Sequence, residues 1–128
     1  MLKAMMALTG LFLCLPAQAR DNGQWEDQDP ALREWYRSLK QPDVPSVSCC
    51  GEADSYFCDE TFEKGHAVCV IADDRDDEKL KRPHVENGTR IPIPDHKLKW
   101  DQGNPTGRGV VFLSSAGYVW CYVRPGGV

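Results

Sequence analysis

The sequence predicts a small α+β domain stapled by disulfides, with one N-terminal amphipathic helix packed on a small antiparallel β-sheet or partly open barrel. Three observations lead there. Leu32, Trp35, Tyr36 and Leu39 fall at i, i+3, i+4 and i+7, one apolar stripe of a helix. Short runs rich in β-branched and aromatic residues follow, punctuated by Gly and Pro. Five cysteines lie in the 109 residues after Ala19, of which only 39 are hydrophobic. So thin a core makes covalent ties important.

The elements follow in chain order. Met1-Leu2-Lys3 is a short positively charged start, Ala4 to Leu15 is an apolar run, and Pro16-Ala17-Gln18-Ala19 ends in a small-x-small pattern. This predicts a signal peptide over 1–19, cleaved after Ala19. The 12 residues of Ala4–Leu15 are too few to span a hydrocarbon core. Leu13 stands before Cys14, where a lipoprotein needs a small residue. No second apolar stretch of spanning length follows, so the mature chain is expected to be soluble and periplasmic or secreted. Residues 20–29 form a polar arm with Trp25 as its only apolar anchor, and 30–128 form a single domain. The whole chain has net charge −4, and the part after Ala19 is −5, which argues against a nucleic-acid partner.

Asp29-Pro30 is a helix start, because Asp accepts from an orphan N–H and Pro suits the first helical position. The helix runs over about 31–39, and Gln41-Pro42 ends it. An extended connector, PDVPSVS, leads to a turn at 49–54. Residues 57–63 and 66–72 read as two strands around a tight turn at Lys64-Gly65. The acidic run 73–78 is expected to be a solvated tip, since it departs from the EF-hand pattern at Lys79 and Val85. Arg90 to Pro94 carries two prolines and suits a sheet edge. His96, Leu98 and Trp100 alternate with lysines, as in a half-buried strand. Residues 101–108 form a loop. Val110–Leu113 and Tyr118–Val123 are the clearest strands, the last with Tyr118, Trp120 and Tyr122 on one face and Val119, Cys121 and Val123 on the other.

Five cysteines in an exported domain favour two bridges and one spare thiol. A bond between the adjacent Cys49 and Cys50 is disfavoured, because their Cα atoms are only ~3.8 Å apart. Cys58 and Cys69 lie on the two arms of the proposed hairpin, nearly opposite each other, and form the local pair. Cys121 then pairs with Cys50 or Cys49. The assignment taken is Cys50–Cys121 and Cys58–Cys69, with Cys49 as the spare thiol.

The function expected first is that of a non-enzymatic binding module. It would work as a monomer without a cofactor and recognise an envelope protein or a small ligand, with Asp54, His84, His96 and Trp100 as candidate binding residues. The alternative is a thiol- or metal-dependent site around Cys49, Cys50, Asp54, His84 and His96, possibly a Cys-His hydrolase in which Cys50 opens a short helical turn and a histidine is the base. No CxxC redox pair and no CxxC…HxxxH zinc spacing occurs in the sequence. Asn87-Gly88-Thr89 is a glycosylation sequon, relevant in a eukaryotic host.

The segment Trp35 to Pro42 (WYRSLKQP), the run Ser48 to Asp54 (SCCGEAD), Lys97 to Asp101 (KLKWD), Gly103 to Gly107 (GNPTG) and the ending Val119 to Gly127 (VWCYVRPGG) resemble a family of small exported proteins from alphaproteobacteria such as rhizobia. The resemblance covers roughly 32–128. It implies a bacterial periplasmic or secreted location and no particular activity. Cys58 and Cys69 look like an addition to the family pattern, which fits their pairing with each other and leaves Cys49, Cys50 and Cys121 as the family's own set.

Overall fold

The computed structural model describes residues 28–99 and 104–125. The expected leader, the arm up to residue 27, and Trp100 lie outside the described residues.

Helix α1 spans Pro30–Ser38. Asp29 caps it, its Oδ1 accepting from the Ala31 N–H at 2.9 Å, and Pro30 occupies the first turn, where a missing N–H costs nothing. Leu39 is already extended, and the chain then folds back through an isolated Lys40–Ser48 bridge. The Cys49 N–H donates to the Leu39 carbonyl at 3.0 Å, which carries Cys49 inward beside the end of α1.

A short 3-10 turn, Glu52–Asp54, opens into β1, Ser55–Glu63. β2 is His66–Ile71. Lys64 and Gly65 both have positive φ, 51° and 79°, the tight turn whose twist matches that of the flanking strands. Helix α2, Asp77–Leu80, lies in the excursion from β2 to β3, Arg90–Pro92. A 3-10 turn at Asp95–Lys97 precedes β4, Leu98–Lys99. β5, Gly109–Leu113, and β6, Val119–Val123, complete one curled six-stranded sheet, a half-barrel of order β3-β2-β1-β5-β6-β4.

The architecture is α+β, but the sheet is mixed. β4 runs parallel to β6, Leu98 opposite Tyr122 and Lys99 opposite Val123. The strand expected from His96 onward therefore shrinks to two described residues, and His96 sits in the preceding turn. The reason is the Lys97 N–H, which bonds the Pro94 carbonyl at 2.9 Å and coils the chain there.

Both faces of the sheet are covered. One cluster joins Tyr56, Cys58, Cys69, Ile71, Val111, Val119 and Tyr122. The other packs Tyr36 and Leu39 from the α1 region on Val110, Phe112, Cys121 and Val123. Every residue of β5 is buried, as expected of a strand buried on both sides. On β6 the simple alternation fails. The pairing shifts from Phe112–Cys121 to Leu113–Val119, a bulge that leaves Trp120 as the extra residue. Val119 and Tyr122 thus join one cluster while Cys121 and Val123 join the other.

Gly109 marks the tightest point. A Cβ there would meet the Tyr122 hydroxyl at 2.9 Å and the Cys58 carbonyl and Sγ at 3.0 Å. Gly109→Ala should destabilise the domain by about 1–3 kcal/mol through overpacking. Urea unfolding checks this, and an unchanged midpoint would show that β5 and β1 separate more easily than this packing implies.

Candidate functional site

Two disulfides join cysteines of the described residues, one in each cluster. Cys58 and Cys69 are joined with Cα atoms 5.4 Å apart. They are diagonal neighbours rather than directly opposite, since Glu60 faces Cys69 and Cys58 faces Ile71. Cys49 is joined to Cys121 with Cα atoms 5.6 Å apart. This corrects the expected Cys50–Cys121 bond and the expected spare thiol at Cys49. The Cys49 N–H bond to Leu39 places Cys49 in the cluster that holds Cys121. Cys50 turns off at φ 79°, followed by Gly51 at φ 79°. Cys50 is itself disulfide-bonded, and no described cysteine is a free thiol. The Cys-His alternative needs a thiolate at Cys49 or Cys50, and the Cys49 sulfur is committed to Cys121.

The most developed polar constellation lies in the excursion between β2 and β3, which the sequence marks only as an acidic tip. Asp73 is not solvated. Its side chain and that of Arg82 are each 1% exposed and meet at 2.9 Å. Asp73 also accepts from the Phe57 N–H at 2.9 Å and from Arg75 Nη2 at 2.8 Å. Burial disfavours its charge, but the hydrogen bonds from Arg75, Arg82 and Phe57 outweigh that and hold its carboxyl well below the usual carboxylate range. Arg82 spreads its fork further, to the Ser55 carbonyl at 2.7 Å and to Asp77 at 2.6 Å, and lies 4.4 Å from the Tyr56 ring centroid. Arg75 stacks 3.8 Å from the Phe57 ring centroid. Asn87 closes the excursion, accepting from the Asp73 N–H and donating to Asp74.

His84 sits at the outer end of this constellation. Its Nδ1 is 2.6 Å from Asp77 Oδ2 and its Nε2 is 2.9 Å from Glu86 Oε2. Asp54 is instead buried in the 3-10 turn before β1. His96 stands 4.0 Å from Asp43, beside a different tie. There the buried Lys97 ammonium bonds Asp43 at 2.8 Å and Gln41 at 3.1 Å, pinning the 40–48 connector to the turn before β4. His66 faces Asp95 at 3.2 Å. The three histidines thus meet different carboxylates, and His84 meets two. Among the described residues no group of three His, Cys, Asp or Glu side chains is placed to hold a metal ion.

Sequence reasoning missed Asp73, Arg75, Arg82 and Lys97. The one signal was Arg75 inside the acidic run, a cation placed to neutralise its neighbours. Phe62 and Tyr118 are exposed, at 57% and 52%, and Tyr118 packs edge-on against Trp120 with centroids 5.1 Å apart. Tyr36, on the buried face of α1, is deeply buried, and burial pushes its hydroxyl up to about 12.

Among the described residues no helix is long and apolar enough to cross a membrane. No family model, curated protein or solved structure matches the chain.

Proposed function

We propose that the chain is an exported, disulfide-stabilised binding module, periplasmic or secreted, that recognises an envelope protein or small ligand. The observation that carries this reading is the pair of buried disulfides, one in each half of the core. Such bonds persist in oxidising compartments and are rare where thiols are kept reduced. The apolar leader ending at Ala19 and the resemblance to small exported alphaproteobacterial proteins support the same location. A binding role fits the use made of the polar residues. Arg82, Asp73 and Lys97 hold loops in place, while the exposed aromatics Phe62 and Tyr118 offer contact surface.

Expression of the full chain in a Gram-negative bacterium tests the reading. The periplasmic fraction should yield a protein that begins at Arg20 and takes up no alkylating agent at Cys49, Cys58, Cys69 or Cys121 without reductant. Cytoplasmic retention with these four thiols alkylated would contradict it.

A further inference from the structure

Both ring nitrogens of His84 lie within hydrogen-bond distance of carboxylate oxygens, Asp77 on one side and Glu86 on the other. Ionised carboxylates only accept, and a neutral imidazole donates from one nitrogen alone. The two contacts are satisfied together only by the imidazolium. We propose that His84 is a pH-operated clasp that joins α2 to the chain leading into β3 when protonated and releases Glu86 when neutral.

The position of the clasp gives it leverage. Asp77 is shared, one oxygen on His84 and the other on Arg82 Nε at 2.6 Å. Arg82 in turn holds Asp73 and the Ser55 carbonyl at the start of β1. Glu86 lies in the turn that precedes β3, where the Glu86 carbonyl accepts from the Thr89 N–H at 3.1 Å. Asn87, the next residue, holds Asp73 and Asp74. The charged groups tied to His84 are therefore Asp77 on α2 and Glu86 on its own loop, with Arg82, Asp73 and Arg75 behind Asp77. Glu86 is 82% exposed and has His84 as its side-chain tie, whereas Asp77 keeps Arg82. Glu86 is thus the contact that gives way.

The sign follows from which form is held. The hydrogen bonds to Asp77 and Glu86 raise His84 above its ordinary value. The clasp is then fully closed below about pH 6.5 and opens as pH rises through the raised value. For a protein exposed to the medium, this makes the loop tighter in acid than in alkali. The inference stands on His84 alone and does not depend on the proposed export or binding role.

Proton NMR of the folded protein from about pH 5 to about pH 9 tests it, with exchange of the Gly88 and Thr89 amides, which donate to the Ile71 and Glu86 carbonyls, read alongside. The His84 ring should titrate above 6.5. Exchange at these amides, after correction for intrinsic rates, should accelerate by roughly threefold to tenfold across that titration. Glu86→Gln should lower the His84 midpoint and shrink the change, and His84→Gln should abolish it. His66→Gln and His96→Gln should leave it intact, which separates the clasp from a general loosening. A His84 midpoint at or below 6.5, or equal corrected exchange at both ends of the range, would overturn the proposal.

Discussion

Cys49→Ala combined with Cys121→Ala is expected to cost about 4 kcal/mol of stability. The bond closes a sequence separation of 72 residues and ties the segment after α1 to the last strand. Chain-entropy reasoning puts the short Cys58–Cys69 loop, with a separation of 11, at about 3 kcal/mol. The difference reflects the larger unfolded-state freedom that the long tie removes. A stability of about 5–15 kcal/mol is ordinary for a domain, so loss of the long tie takes a large share. Urea unfolding of the oxidised double variant reads the effect directly. A loss below about 1 kcal/mol would mean that the Tyr36–Phe112 packing holds the cluster between α1 and the sheet without covalent help.

Arg82→Met should cost about 3 kcal/mol, and it should alter the acid limb of stability as well. The arginine is buried and contacts Asp73, Asp77, the Ser55 and Arg75 carbonyls and the Tyr56 ring. Its removal leaves Asp73 with Arg75 and the Phe57 N–H, which limits the cost to the lower end for a broken buried pair. Asp73 is held below its ordinary value, so it contributes stability that is present above about pH 4 and lost as pH falls through the folded value. In the variant this depression is smaller and the acid-dependent loss is smaller with it. Unfolding free energies from about pH 2 to about pH 6 would show a shallower slope. An identical slope in both proteins would mean that Arg75 alone sets the state of Asp73.

These residues also show where the sequence is legible. The turn at Lys64-Gly65 is readable because two adjacent residues must accept positive φ, and glycine does so without strain. β5 is readable because a strand buried on both faces is continuously apolar. Other features depend on distant partners. Asp73 looks like part of a solvated charge run, yet it is buried because Arg82, nine residues on, folds back over it. The choice between Cys49 and Cys50 turns on the Leu39 carbonyl that accepts from Cys49, a long-range bond with no local signature. The bulge at Trp120 moves Val119 to the face of Tyr122, which strict alternation does not allow. His84 and His96 are offered by the sequence as a pair, yet they meet different carboxylates, Asp77 and Glu86 for the first and Asp43 for the second. Carboxylates are numerous in an acidic chain, and spacing alone does not say which one a histidine meets.

The assignment of the long tie bears most directly on the whole account, because both the packing of α1 on the sheet and the reading as an oxidised, exported domain rest on it. Mass spectrometry of non-reduced peptides measures it, with fragmentation between the adjacent Cys49 and Cys50 to tell them apart. The account predicts a fragment in which Cys49 is linked to Cys121 and a separate one linking Cys58 to Cys69. A Cys50–Cys121 link, or Cys49 and Cys121 recovered as free thiols from the periplasmic protein, would contradict it.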